Sequence, residues 1–133
     1  MGLVHDFLSN RSYWARGIPF EVVERSVAGS LCFGVFHHGD QVGFARVVTD
    51  SATFAYLGDV FILEPHRGKG LGKWLVRTIL GHQQLAGLRM ISLGTRDAHG
   101  LYERYGFRRI TDTDLVGRLM VMQNADPYEK KGR

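Results

Sequence analysis

The sequence predicts a mixed α/β fold, a mostly antiparallel sheet that contains one parallel strand pair and is covered by helices. Three observations carry this. "SLCFGVFHH" and "QVGFARVVTD" are β-rich runs joined by a tight "GD" turn, a hairpin signal, and "ATFAYLGDVFIL" adds a third long strand to the meander. From Gly70 onward, Leu71, Leu75 and Ile79 recur every four residues with Val76 and Leu80 beside them, the spacing of a helix with one apolar face. "RMISLGT" then reads as a strand, so a helix separates two strands and the pair it connects should run parallel.

The remaining elements follow in order. Leu3, Phe7 and Leu8 suit a short first helix. Gly17 and Pro19 punctuate before "FEVVERSVAG", where Val22, Val23 and Val27 suit a second helix, although valines also favour strands. Gly81 and Gly87 mark the end of the Gly70 helix or the loop beyond it. "DAHGLYERYG" is predicted as a helix with Asp97 as N-cap and Gly106 just past its end. "FRRI" and "LVGRLMVMQ" are predicted as final strands, through which a homodimer could form.

At 133 residues, with no linker-like tract, the chain reads as a single domain, 1–133. Hydrophobic residues at 44% and charged residues at 23% place it among folded globular chains rather than disordered ones. No apolar run approaches the roughly 20 residues of a membrane span, and "MGLVHDFLSN" lacks a secretory pattern, so a cytoplasmic protein without membrane contact is expected. The single cysteine, Cys32, reads as a small strand residue. The net charge of +4 comes from scattered basic residues, with only "EKKGR" forming a cluster. No basic stripe interleaves with aromatics, which argues against nucleic acid; a negatively charged ligand is enough to motivate the charge.

The stretch "FILEPHRGKGLGKWLVRTIL", residues 61 to 80, holds the clearest site. A strand that passes through a glycine-rich turn into a helix leaves backbone N–H groups unpaired at the positive end of the helix dipole, an anion site. A Walker A loop would need Gly at 67 and Ser or Thr at 74, where the chain has Arg67 and Trp74. The dinucleotide fingerprint GxGxxG would need Gly at 73 or 75, where the chain has Lys73 and Leu75.

What is present is Arg67-x-x-Gly70-x-Gly72, and here the sequence resembles the GNAT superfamily of acetyl-CoA-dependent N-acetyltransferases. A second segment, "TRDAHGLYERYGF", is similar to the family's Asn-x-x-Ala-x-x-Leu-Tyr-x-x-x-Gly-Phe run, with Ala98, Leu101, Tyr102, Gly106 and Phe107 in register. The resemblance covers roughly residues 30 to 110. It implies a GNAT-type sheet with helices on both faces and the parallel pair splayed at the cofactor site. It implies further that amides of Gly68, Lys69, Gly70, Leu71, Gly72 and Lys73 hold the pyrophosphate of coenzyme A, with Arg67, Lys69 or Lys73 adding charge. Backbone of Phe61, Ile62 and Leu63 would pair with the pantetheine and polarise the thioester. Thr95 stands where the family has Asn, and a hydroxyl offers fewer bonds than an amide.

The resemblance also places Tyr102 as the acid that protonates the departing thiolate, whereas spacing alone (Ala98, Leu101, Tyr102 and Tyr105 on one helical stripe) suits packing. Tyr105 is expected to pack or stack near the cofactor. Asp59, an acid inside an otherwise apolar strand, is the candidate base if burial raises its pKa, or else a carboxylate that bonds backbone at the strand start. For the acceptor amine, position suggests Tyr13, Trp14, Arg16, Phe20, Phe36, His38 and Arg46, of which Tyr13 and Trp14 could offer an aromatic wall or simply anchor the first helix. His37 and His38, adjacent on a strand, are expected to face opposite ways, and no metal is expected. The expected activity is N-acetylation of a small-molecule, peptide or protein amine. Its rivals are an acyl-CoA-binding module without catalysis and a basic interaction protein.

Overall fold

The computed structural model describes residues 1–128, so the basic cluster "EKKGR" lies outside the described residues. The chain divides into two compact units, Met1–Gly94 and a second that begins at Thr95. In the first unit, helices α1 (Gly2–Asn10) and α2 (Phe20–Ala28) precede strands β1 (Leu31–His37), β2 (Asp40–Thr49) and β3 (Phe54–Ile62), then helix α3 (Leu71–Leu80) and strand β4 (Met90–Leu93). The sheet order is β1-β2-β3-β4. The first three strands are antiparallel, and β3 and β4 are parallel, as a helical crossover requires. None of the described helices is long and apolar enough to cross a membrane.

One irregularity organises the sheet. Phe44 pairs with Phe61 and Arg46 with Gly58, so Ala45 alone faces the two residues Asp59 and Val60. This β-bulge puts Asp59 at φ +53, a left-handed conformation that Asp tolerates better than most residues. Because paired residues share a face, Gly58 and Phe61 lie on the same side as Arg46 and Phe44, three positions apart rather than two or four. Leu57 and Ala55, on the opposite side, are fully buried.

Both faces are covered. On the Arg46 face the Phe7 ring of α1 stacks on Phe61 at 4.0 Å, and Cys32 lies near the Val27 carbonyl of α2. Burial pushes the Cys32 thiol up, consistent with a packing role. On the other face Phe33, which pairs with Ala45, meets His82 immediately after α3, and Leu75, Val76 and Ile79 of that helix are buried.

The second unit contains α4 (His99–Glu103) and two 3₁₀ turns, Ile110–Asp112 and Asp114–Gly117. Among the described residues no strand follows β4, which corrects the expectation for "FRRI" and "LVGRLMVMQ". The Thr113 hydroxyl accepts from Leu115 N–H, closing a local turn, and Leu119, Met120, Val121 and Met122 are exposed. A β-prone run without a strand beside it gains nothing from being extended. Asp97 does not cap α4 either: the oxygen that receives the Ala98 N–H is that of Thr95, at 3.0 Å. Gly106, at φ +95, does turn the chain after the helix.

The Phe7–Phe61 stack predicts the stability of the first unit. Phe7→Ala should cost about 3–5 kcal/mol, the usual range for deleting a buried aromatic ring, read as a lower urea midpoint. A loss below about 1 kcal/mol would show that the stack does not hold α1 to the sheet.

Candidate active site

The glycine turn is built from β3 outward. After Ile62 a 3₁₀ turn (Glu64–His66) leads to Arg67, whose Nε–H donates to the Ile62 carbonyl at 2.8 Å and clips the turn to the strand end. Gly68 and Gly70 both adopt φ +79, which a side chain would strain. The Trp74 N–H bonds the Gly70 carbonyl at 3.0 Å, so the N–H groups of Leu71 and Gly72 belong to those that a helix start leaves without an intrahelical partner. A Cβ added at Gly68, Gly70 or Gly72 would meet nothing within 4 Å. The turn is thus an open cradle of backbone at the positive pole of α3, with Arg67, Lys69 and Lys73 exposed around it. This donor set fits a diphosphate.

Beside the turn, β3 offers an edge. Its ladder with β4 ends at Leu57–Leu93, so Gly58 to Ile62 have no ladder partner on that side within this unit. Of the three residues expected to meet a pantetheine, Leu63 gives its N–H to the Val42 carbonyl at 2.8 Å, and Phe61 is paired with Phe44. In an antiparallel ladder the residue between them faces the other way, so Ile62 turns its N–H and carbonyl toward the open edge. The Arg67 clip occupies the carbonyl. The Ile62 N–H is what the strand presents there.

The bulge brings together residues far apart in sequence. Asp59 accepts from Arg46 Nε at 2.7 Å and from Trp14 Nε1 at 2.9 Å. Arg46 Nη1 reaches Ser30 Oγ at 3.1 Å, and Ser30 donates to the Ser26 carbonyl at 2.6 Å. The Asp59 side chain is 10% exposed and that of Arg46 20%, so the pair is largely out of water. Asp59 is therefore not an isolated acid in an apolar strand, as the sequence suggests, but half of an ion pair. Trp14 is held from its own side too. Buried Ser12 donates to the Leu8 carbonyl and accepts the Ala15 N–H, fixing the loop after α1, and Tyr13 meets Trp14 edge-on at 5.0 Å. Sequence reading proposed Trp14 and Arg46 for the acceptor site and Asp59 as base; Ser30, which completes their network, it missed. Its one signal was a charged Arg46 inside an apolar strand.

In the second unit Tyr102 is buried, and its ring lies edge-on to Phe107 at 5.7 Å. The Phe107 N–H bonds the Tyr102 carbonyl, so the Gly106 turn folds the chain back onto the helix that carries the phenol. Thr95 uses its oxygen to accept from Ala98, which leaves its O–H proton to donate. Tyr105 is half-buried near the end of the same segment.

Other candidates stand elsewhere. Phe36 is 62% exposed and lies over Gly34, where an added Cβ would come within 2.8 Å of its ring. Phe20 sits edge-on to His5, and Arg16 is exposed. The histidines differ from expectation: His38 takes φ +50 in the hairpin turn, so its ring comes within 4.1 Å of His37 instead of facing away. Among the described residues no group of three or more His, Cys, Asp or Glu is arranged to hold a metal ion.

A strand, glycine turn and helix in this geometry, next to a parallel pair whose ladder ends at Leu57–Leu93, define an acetyltransferase fold. The "Acetyltransferase (GNAT) domain" family matches residues 28–109, and the chain belongs to that family. It is 30% identical over 115 residues to a candidate acetyltransferase of Gibberella zeae, covering 71% of this chain and 64% of that protein's length. A GNAT-family protein of Xanthomonas campestris pv. campestris is 49% identical with a TM-score of 0.91, covering 97% of this chain and 89% of that one. An acetyltransferase of Elizabethkingia anophelis, solved with acetyl-CoA bound, shares the fold at 15% identity and a TM-score of 0.57, over 68% of this chain and 61% of that one.

The ion pair yields a prediction. Arg46→Ala, which leaves Asp59 buried without its cation, should lower stability by roughly 3 kcal/mol in urea unfolding. In a double-mutant cycle with Asp59→Asn the coupling should exceed about 1 kcal/mol, and additive losses would show that the two do not act as a pair.

Proposed function

We propose that this chain moves the acetyl group of acetyl-CoA to a primary amine of a small molecule, peptide or protein, by direct attack while both are bound. In this reading residues 1–133 act as one cytoplasmic N-acetyltransferase domain. The observation that carries it is the open glycine turn at the start of α3, whose Cβ positions face empty space and whose flanks carry Arg67, Lys69 and Lys73. Membership of the GNAT family supports it, as does the acetyl-CoA held by the Elizabethkingia protein of the same fold.

When bound, the cofactor supplies an acetyl thioester and a thiolate leaving group. The chain's own contributions follow from its chemistry. Amides of Gly68 to Lys73 bind the diphosphate, and the Ile62 N–H donates to the carbonyl oxygen as it gains charge. Phe61 and Leu63 hold Ile62 in register through their bonds to β2, and Thr95 and Tyr105 flank the pantetheine arm. Tyr102 donates its proton to the sulfur: an ordinary phenol, pKa about 10, is still protonated at neutral pH, and the thiol it forms has a pKa of about 8.5.

The acceptor amine must arrive neutral. An alkylamine with a lysine-like pKa is about one part in a thousand neutral at pH 7, a cost of roughly 4–5 kcal/mol at 1.36 per pH unit. Asp59 takes that proton, directly or through water, while Arg46 and Trp14 hold its carboxylate in place. Tyr13 and Trp14 supply aromatic faces to the amine beside Asp59, with Phe36 a more distant candidate.

Calorimetry with coenzyme A, followed by release of free thiol from acetyl-CoA against a panel of amines, amino acids and peptides, tests the reading. Absence of coenzyme A binding would sink it, and binding without turnover across the panel would leave an acyl-CoA-binding module. Gly72→Ala should leave the fold intact, since its Cβ has room, yet weaken coenzyme A binding by about tenfold or more by filling the cradle. Tyr102→Phe should keep cofactor affinity while lowering turnover on the order of 100-fold; equal turnover would return Tyr102 to packing. Asp59→Asn should lower turnover across pH 6 to 9, and an unchanged rate over that range would remove Asp59 from the mechanism.

A further inference from the structure

Three imidazoles gather against the glycine turn without a part in the chemistry above. His37 ends β1, His38 follows it in the hairpin turn, and His66 closes the 3₁₀ turn that leads into Arg67. The His37 ring lies 4.1 Å from that of His38 and 5.4 Å from that of His66. His66 Nδ1 is shielded from water and has no hydrogen-bond partner among the described residues. Lys69, within the turn, lies in electrostatic reach of His37, and so does one acid, Asp40 at the start of β2. Hairpin and turn are non-adjacent in sequence, and the fold lays one beside the other.

We propose that His37, His38 and His66 form, with Lys69, a proton-coupled phosphate subsite continuous with the glycine turn, so that the chain binds a diphosphate more tightly as these imidazoles take up protons. The inference rests on the cofactor reading above and adds a regulation to it.

The physical basis is mutual repulsion. With no anion present, the neighbouring His38, followed by burial, His66 and Lys69, holds the His37 pKa below its ordinary value, and Asp40 offsets this only in part. Without an anion, His37 is therefore held toward its neutral form. A diphosphate placed beside it reverses the balance, because its negative charge favours the imidazolium form. Binding then takes up protons, and by linkage affinity must rise as pH falls through the titration of the cluster and level off above it.

Dephospho-coenzyme A is the suitable probe. It keeps the diphosphate, whose charge is fixed near neutrality, and lacks the 3′-phosphate monoester, whose own second pKa of about 6 would confuse the slope. Calorimetry from pH 8 down to about pH 5.5 should show binding at least about tenfold tighter at the acid end, within the range of ordinary site-to-site coupling. In His37→Gln and His66→Gln the rise in affinity toward acid should shrink. His37 is exposed, so its replacement leaves the fold intact, and a thermal melt verifies this for both variants. Imidazole C2–H resonances give a readout without mutation: their midpoints should move up on adding the probe. An equal slope in parent and both variants, or midpoints that do not move, would overturn the proposal while cofactor binding stands. Failure of the probe and of coenzyme A to bind at any pH would instead overturn the cofactor reading, and this inference with it.

Discussion

The interaction on which the first unit depends is the ion pair between Arg46 and Asp59 at the β-bulge. An extra residue in β3 forces one position into the left-handed region, at a cost of roughly 1 kcal/mol for a residue that tolerates it. An aspartate there recovers that cost by accepting from Arg46 across the strand and from Trp14 beyond the sheet. Through Ser30 and Ser26 the same network reaches the end of α2, so a single carboxylate ties the helical cover to the strand that leads into the turn. The bulge also moves Phe61 to the face where Phe7 can stack on it, and it begins at the point where β3 and β4 part.

From that point the open edge and the turn follow by geometry. Once β4 has ended, β3 runs on with an edge that has no ladder partner within this unit, and Ile62 presents its N–H there while its neighbours stay bonded to β2. The chain must then reverse into α3, and two glycines at positive φ make the reversal possible without side chains over the helix start. Gly72 has no such backbone need. It is helical, and the space where its Cβ would stand is open. The Arg67 clip ties the turn to the end of the strand, so edge and cradle are held in one frame.

Much of this was legible because it is local. The i, i+4 spacing of Leu71, Leu75 and Ile79, the hairpin run and the glycine turn each follow from contacts or dihedrals within a few residues, and each formed where expected. The parallel pair was legible for the same reason, since a helix between two strands leaves few alternatives. The expected final strands failed because strand formation is decided by a partner: "LVGRLMVMQ" has the β-prone residues but, among the described residues, no strand beside it. Asp97 does not cap α4 because the helix starts later than its N-cap position requires: Ala98 is the residue before the first turn, no side chain caps it, and the Thr95 oxygen closes the turn ahead of it. His37 and His38 broke the alternation rule because the strand ends between them.

The sequence by itself determined the order and type of the elements from α1 to α4, and the glycine turn with its charges. These rest on periodicity, backbone freedom and short-range capping, all of which are written in neighbouring residues. Only the tertiary structure decided that Asp59 is half of an ion pair, that Trp14 and Ser30 belong to its network, and that a hairpin turn brings two histidines against His66. Arg46 and Asp59 are 13 positions apart, and Trp14 and Asp59 are 45. At such separations no local pattern specifies a partner, because pairing is set by sheet register and by which face a bulge turns toward the helices.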